Sequence, residues 1–163
     1  MTSALDSRRL ADLVTRDEAL LVGVGHPLCG DDAVGSLVVA RLAERFPDRA
    51  LDAGPVPESY FGPLSSVPGR PVVFVDAVRL SAPPGTWCLA RWADLAHRAP
   101  DSHRASLRLL AEVLAAAGVE SWVLGIAPAR LEPGAPLSPP VARAADGLVA
   151  LLTVALAEKP VHA

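Results

Sequence analysis

The sequence predicts an α/β protein. It is a three-layer α/β/α sandwich whose twisted, mostly parallel sheet has roughly five strands, with helices on both faces. Short continuous apolar runs alternate along the chain with longer segments whose apolar residues recur at helical spacing. Such runs are typical of strands that are buried on both faces of a parallel sheet. The 163 residues, 51% of them hydrophobic, suit a single domain over 1–163 with one core.

The first half of the chain predicts three strands and two helices. Residues 1–18 form a polar N-terminal extension that is compatible with a helix, and residues 19–158 form the main domain. Residues 19–25 are an apolar run ending in glycines and predict the first strand, while 33–46 carry apolar residues at helical spacing. Further strands are predicted at 49–53 and 72–76, and the proline-broken stretch between them leaves room for a short helix over 58–66.

The second half predicts two more strands and two helices. Residues 86–91 follow a turn rich in proline and glycine and predict an edge strand, which could run antiparallel. Residues 103–117 predict an amphipathic helix that Gly118 stops. Residues 121–126 predict the last strand, and 138–158 predict a final helix that accommodates Pro139 and Pro140 in its first turn.

Composition and charge exclude several classes of protein. The formal net charge of −3 indicates no broad basic surface, so we expect no nucleic-acid partner. Two cysteines, Cys29 and Cys88, are too few for a disulfide framework. Residues 1–16 lack the apolar run of a signal peptide, and the longest apolar stretch, 148–157, is about half of what a membrane span requires. A cytoplasmic protein with no membrane partner is therefore expected.

Polar side chains gather where the predicted strands end. Ligands of parallel sheets collect beyond the carboxyl ends of the strands. The residues predicted there are His26, Cys29, Asp31 and Asp32 after the first strand, Asp52 and Glu58 after the second, Asp76 at the end of the third, and His103 at the start of the next long helix. Carboxylate oxygen and imidazole nitrogen together are ligands for a borderline divalent metal, which predicts a metal-recognition crevice.

Each of these residues also has a purely structural interpretation. Asp31 or Asp32 would cap the following helix. Asp76 would be a strand-end acid bonded to backbone, and His103 would face solvent at a helix start. Cys29 is either a nucleophile near a helix start or a packing thiol, and the second is favoured because no histidine is clearly paired with it.

Familiar catalytic and nucleotide-binding motifs are incomplete or missing. The glycine loop contains Gly23 and Gly25, but Leu28 occupies the place of the third glycine of a dinucleotide fingerprint. Asp52 lies where a ribose-binding acid would, so a nucleotide-binding regulatory module stays open as an alternative. No Walker lysine, His-Glu-x-x-His helix or Gly-x-Ser-x-Gly elbow is found.

Four segments match a known pattern in order and spacing. Residues 20–35 read Leu-Leu-Val-Gly-Val-Gly-His-Pro-Leu-Cys-Gly-Asp-Asp-Ala-Val-Gly, and 72–78 read Val-Val-Phe-Val-Asp-Ala-Val. Residues 101–103 read Asp-Ser-His, and 125–128 read Gly-Ile-Ala-Pro, followed by Leu-Glu-Pro at 131–133 and Leu-Ser-Pro at 137–139. Together they resemble the motifs of the [NiFe]-hydrogenase maturation proteases, endopeptidases that remove a C-terminal extension from the nickel-loaded precursor of the hydrogenase large subunit.

The resemblance assigns roles residue by residue. It implies that Asp32, Asp76 and His103 contact nickel carried by the substrate, with no tightly bound cofactor of the protease itself. It implies a further acid of less defined role at Asp52. His26 stands where the family usually has asparagine, and it either shapes the loop or adds a nitrogen donor for the metal. An ordinary zinc hydrolase that uses the same three residues is the remaining enzymatic alternative.

Overall fold

A computed structural model describes residues 4–66, 69–95 and 105–158. Its centre is a five-stranded sheet with the strand order β2-β1-β3-β5-β4. The strands are β1 Leu20–Val24, β2 Ala50–Gly54, β3 Val72–Ala77, β4 Trp87–Arg91 and β5 Ser121–Ile126. The β1, β2, β3 and β5 strands are parallel, and β4 pairs antiparallel with β5 at one edge. The predicted sheet, including its antiparallel edge strand, is confirmed.

Helices cover both faces of this sheet and complete the three predicted layers. The helices are α1 Ala4–Thr15, α2 Val34–Ala43, α3 Phe61–Ser65, α4 Trp92–Leu95, α5 Ala105–Ala116 and α6 Pro139–Ala157. Buried residues of α1, α2 and α6 pack on one face with Leu21, Val73 and Val75. Buried residues of α3 and α5 pack on the other face with Val22 and Phe74. Alternate residues of each strand thus serve different faces, as the two-residue repeat of a strand requires.

The N-terminal extension is helical, and it belongs to the core. Leu10, Leu13 and Val14 of α1 are buried in the same apolar cluster as α6. The guanidinium of Arg9 also stacks on the indole of Trp122 in β5, 4.3 Å from the ring centroid. A stacked cation of this kind adds to the apolar contact, so α1 is held at both its apolar and its polar side.

Two predicted helices differ in detail from the observed ones. The helix predicted over 33–46 is α2, Val34–Ala43, and a short 3-10 helix, Gly30–Ala33, precedes it. The segment at 58–66 divides into a 3-10 turn, Pro57–Tyr60, and α3. The four-residue α4 was not predicted, because a single turn is too short to show helical periodicity.

The final helix combines a long apolar sequence with a buried face. Within the described residues, α6 is the one helix whose length and composition would allow it to cross a membrane. Its residues Val141, Ala145, Leu148 and Leu152 are nevertheless buried in the core, at spacings of three and four. A core helix of a globular domain passes the same test, so the apolar length of α6 is explained by this packing.

Candidate active site

The connection order of the sheet opens a crevice between β1 and β3. From β1 the chain runs to β2 on one side, whereas β3 lies on the other side of β1. The helices that follow these strands therefore leave in opposite directions, which is the arrangement at which ligands bind in open parallel sheets. The Gly30–Ala33 turn, which carries Asp31 and Asp32, packs against β3 above this crevice.

Asp76 reaches the crevice from the sheet itself. It is the penultimate residue of β3, is paired with Gly125 of β5, and is buried at 9% exposure. Because strand residues alternate between faces, its side chain leaves the sheet on the same face as Val72 and Phe74. That face is covered by α5, which begins at Ala105. His103 precedes α5 by two residues in the sequence, and its own position lies outside the described residues.

Glycines allow the loop that carries Asp32 to lie close to the ends of both strands. Gly25 has a φ of +145°, and a side chain there would collide with the carbonyl oxygen of Asp32. A side chain on Gly35 would collide with the carbonyl oxygens of both Val24 and Val75. The start of α2 therefore lies directly on the ends of β1 and β3, which brings Asp32 to the strand that carries Asp76.

The carboxylate of Asp32 is oriented by one hydrogen bond. Its Oδ2 accepts the backbone N–H of His26 at 2.8 Å. The residue is half-buried, and among the described residues its Oδ1 has no hydrogen-bond partner. His26 in turn accepts the backbone N–H of Leu28 at its Nδ1, at 3.2 Å. The structure thus places His26 beside Asp32 and leaves Oδ1 of Asp32 without a hydrogen bond to any described residue.

Asp31, the neighbour of Asp32, has a different role from the one predicted. It is fully buried and accepts four hydrogen bonds, from the backbone N–H groups of Ala129, Arg130 and Ser138 and from the hydroxyl of Ser138, at 2.6–3.0 Å. Burial alone would raise the pKa of Asp31, but these four donors outweigh it and lower the pKa below 3.8. The carboxylate therefore ties the loop after β1 to the loop after β5.

The prediction that Asp31 or Asp32 caps the following helix is wrong. Neither the Gly30–Ala33 turn nor α2 has a side-chain cap. The Asp31 oxygens are engaged with the distant loop at 129–138, and Asp32 Oδ2 is engaged with His26. We call the four hydrogen bonds that Asp31 accepts from Ala129, Arg130 and Ser138 the clamp. The sequence gives no signal for it, because the donors lie about a hundred residues from Asp31 in a segment without regular structure.

Asp52 lies on the neighbouring strand but is directed differently. It is exposed, and its Oδ1 accepts the backbone N–H of Gly54 at 3.0 Å, which closes a tight turn at the end of β2. Its neighbours Leu51 and Ala53 pack on the α5 face of the sheet. Strand alternation therefore directs Asp52 to the face opposite Asp76.

The predicted residues come together only in part. Asp32 and His26 are joined by a hydrogen bond in the loop after β1, Asp76 lies near the end of the neighbouring strand β3, and Asp52 lies on β2 at the other side of β1. Among residues 4–66, 69–95 and 105–158, no three His, Cys, Asp or Glu side chains form a group that could hold a metal ion. The third member of the predicted trio, His103, lies outside those ranges. Cys29 and Cys88 are partly buried and are not joined in a disulfide bond, and Cys88 lies in the edge strand as predicted.

A cavity next to the crevice was not predicted. It has a volume of about 420 Å³ and is lined by Arg79 after β3 and by the segment 128–132 after β5. Two of its lining residues, Ala129 and Arg130, donate their N–H groups to Asp31. The clamp therefore shapes one wall of a cavity at the same edge of the sheet as Asp76, and a volume of this size holds a short segment of a ligand.

The glycine loop does not have the form of a phosphate-binding loop. The space beside Gly23 is filled by the backbone of Gly35 and by Val39, so the glycines serve the packing of α2 on β1. The turn before α2 carries two carboxylates, Asp31 and Asp32, which would repel a pyrophosphate at the position where a nucleotide fold binds one. The nucleotide-binding alternative therefore loses its structural basis.

The sheet order and the acidic residues at the ends of β1 and β3 define an α/β protein with a candidate carboxylate site beyond the carboxyl ends of its strands. Comparison with known proteins then gives the family. The family model described as hydrogenase maturation protease, HycI, matches residues 37–155. The chain belongs to the hydrogenase maturation protease family and is a peptidase.

Solved structures agree with this assignment. A [NiFe] hydrogenase maturation protease HycI from Thermococcus kodakarensis is 30% identical, with a TM-score of 0.80 over 91% of this chain and 98% of that one. The hydrogenase maturating endopeptidase HybD from E. coli is 25% identical, with a TM-score of 0.70 over 85% of this chain and 91% of its own. A hydrogenase 2 maturation peptidase from a Thaumarchaeota archaeon is 29% identical, with a TM-score of 0.60 over 85% and 97%. Among curated protein sequences, no match is found.

Proposed function

We propose that this peptidase removes a C-terminal extension from the nickel-loaded precursor of a [NiFe]-hydrogenase large subunit, and that Asp32, Asp76 and His103 recognise the nickel. The observation that carries the proposal is that the turn with Asp32 packs against β3, the strand that carries Asp76. Asp76 is fixed within β3, and Asp32 is brought to β3 by the packing of Gly35. The similar structures named as hydrogenase maturation proteases support the substrate class.

The carboxylates suit a metal that arrives with the substrate. Within residues 4–66, 69–95 and 105–158, Asp32 forms a hydrogen bond only through Oδ2, so its Oδ1 remains for a metal. Oxygen and nitrogen donors bind nickel and leave its other positions to ligands of the substrate. Docking of the metal would hold the adjacent peptide segment against the crevice, which turns a bimolecular encounter into a positioned reaction.

A nickel-dependent docking step makes cleavage a checkpoint, because a precursor without nickel lacks the group that is recognised. The test is incubation of the purified protein with nickel-free and nickel-loaded precursor. We expect cleavage of the loaded form only. Equal cleavage of both forms would refute the checkpoint and would favour an ordinary hydrolase that carries its own zinc.

Substitution of Asp76 by asparagine tests the assignment of that residue. The variant keeps the shape of the side chain and removes its charge, so we expect processing to be lost while the fold remains. Asp146→Asn is the matched control, because that carboxylate lies on the exposed face of α6 in an ion pair with Arg41. Full activity of Asp76→Asn would remove Asp76 from the site.

The attacking water can be activated by the nickel or by a carboxylate, Asp32 or Asp52. Asp52→Asn tests one of these three groups, because asparagine can still accept the Gly54 N–H and preserve the turn. If nickel or Asp32 activates the water, Asp52→Asn leaves the cleavage rate of bound precursor unchanged. If Asp52 is the base, the same variant binds nickel-loaded precursor normally but does not cleave it.

A further inference from the structure

We propose that His26 is a positioning residue: its imidazole locks the loop after β1 so that the backbone N–H of His26 orients the carboxylate of Asp32. The inference rests on the proposed function, since it assigns Asp32 to nickel recognition. It starts from the chain of hydrogen bonds that runs from Leu28 through His26 to Asp32. That chain uses both the ring and the backbone of a residue that replaces the asparagine usual in the family.

The ring closes a turn over residues 26–29. The carbonyl oxygen of His26 accepts the N–H of Cys29 at 3.1 Å, with Pro27 as the second residue of the turn. Proline has no N–H, so the first free donor after His26 is the N–H of Leu28, and this donor bonds to Nδ1 of His26 at 3.2 Å. The imidazole thus performs the local capping that asparagine side chains perform in turns.

The far side of the turn is held as well. The carbonyl oxygen of Leu28 accepts the N–H of Gly134 at 2.7 Å, so both backbone polar groups of Leu28 are engaged within the protein. The turn is therefore held between the ring of His26 and the loop after β5. With the turn fixed, the N–H of His26 is aimed at Oδ2 of Asp32 at 2.8 Å.

The same contacts determine the form of the imidazole. A backbone N–H can only donate, so Nδ1 of His26 must be the unprotonated, accepting nitrogen, and the ring proton of neutral His26 is on Nε2. Nδ1 is consequently occupied. His26 acts on the site through the loop, and the nickel assignment stays with Asp32, Asp76 and His103.

Three substitutions separate positioning from direct contact with the precursor. His26→Ala removes the cap, His26→Asn supplies an acceptor at the same reach, and His26→Gln carries its acceptor one methylene too far. The measured quantity is the ratio of the affinity for nickel-loaded precursor to the affinity for nickel-free precursor. We expect His26→Ala and His26→Gln to lower this ratio by about tenfold, as changes in residues that orient metal ligands do. Affinity for the nickel-free form should not change, and His26→Asn should restore the ratio.

Two outcomes would overturn the proposal. An unchanged ratio in His26→Ala would show that the ring does not act on the site. Equal weakening of both precursor forms, with no rescue by His26→Asn, would show that His26 contacts the precursor directly.

A spectroscopic measurement on the intact chain separates this proposal from the proposed function. Nitrogen NMR of the wild type should show the Nε2-protonated tautomer at His26 and slow exchange of the Leu28 amide proton. The slow exchange should be lost in His26→Ala and kept in His26→Asn. If the wild type cleaves no precursor at all, the proposed function fails while this measurement still decides the geometry. Rapid exchange of the Leu28 amide proton in the wild type would refute the hydrogen bond from Leu28 to Nδ1 of His26, on which the proposal rests.

Discussion

The carboxylate of Asp31 accepts hydrogen bonds from both the backbone N–H and the hydroxyl of Ser138, 107 residues further along the chain, at 2.6 and 2.8 Å. The backbone N–H groups of Ala129 and Arg130 donate two more hydrogen bonds to this carboxylate. This one side chain therefore joins the loops that follow β1 and β5. Since Asp32 is the next residue, the position of Asp32 depends on a contact that is remote in sequence.

Loss of this clamp should destabilise the protein. Asp31→Asn places an amide group among four hydrogen-bond donors, and we expect it to lower the free energy of unfolding by about 3 kcal/mol. Ser138→Ala removes only the hydroxyl bond and should cost about 1 kcal/mol. In the double variant the costs should not add, because the hydroxyl bond is already weakened by Asp31→Asn. Urea unfolding of the four proteins measures these values, and full additivity would contradict the described contact.

The lowered pKa of Asp31 predicts a particular dependence of stability on pH. A carboxyl group whose pKa is lower in the folded than in the unfolded state stabilises the fold above its unfolded pKa, near 3.8, and that contribution is lost as pH falls through the folded value. The difference in free energy of unfolding between the wild type and Asp31→Asn should therefore be constant near neutral pH and should decrease below about pH 4. Urea unfolding across this range measures the difference, with Asp146→Asn as the control. A constant difference down to acid unfolding would contradict the prediction.

The close approach at Gly35 gives a test of how the crevice is built. Gly35→Ala places a methyl group where it overlaps with the carbonyl oxygens of Val24 and Val75. The substitution should therefore destabilise the fold and displace α2 from both strands. Gly147→Ala is the matched control, because the space beside Gly147 in α6 is empty. Alanine in that helix should raise the free energy of unfolding by roughly 0.5–1 kcal/mol. Thermal unfolding measures both, and equal effects would refute the packing role of Gly35.

Substitution of Asp31 should affect stability, whereas substitution of Asp32 should affect binding of the precursor. Asp32→Asn can still accept the His26 N–H through its amide oxygen, so its free energy of unfolding should stay within about 0.5 kcal/mol of the wild type. Its affinity for nickel-loaded precursor should fall about a hundredfold, which is equivalent to about 2.7 kcal/mol. Binding and unfolding measured on the same preparations test both statements. A variant that loses stability but keeps its affinity would reverse the roles given to Asp31 and Asp32.

The strands were predictable from the sequence because each parallel strand is buried on both faces. Residues 72–75 are wholly apolar and form a continuous run, which only a central strand or a buried helix produces. The same reasoning could not detect α4, which is a single turn. It also described residues 1–18 as a polar extension, although three apolar residues of α1 enter the core. Sparse apolar positions on a charged helix are a weak periodic signal.

The site was predictable only at the level of the strand ends. Alternating strands and helices predict a parallel sheet, so the placement of Asp32 and Asp76 at the carboxyl ends of strands could be expected from the sequence. Which member of the pair Asp31–Asp32 faces the crevice could not be derived from spacing. That choice depends on Ser138 and on the loop at 129–130, which reach Asp31 only in the folded chain. The contact between His26 and Leu28 was equally invisible, because histidine has no fixed role in turns.

The clamp between Asp31 and Ser138 also bears on the time at which the site comes into existence during synthesis. A ribosome releases the first strand and its loop long before residue 138, and contacts of such sequence separation form late. A nascent chain that has not yet reached Ser138 lacks two of the four hydrogen bonds to Asp31. The loop after the first strand is therefore fully clamped only once the residue that precedes the last helix has been added to the chain.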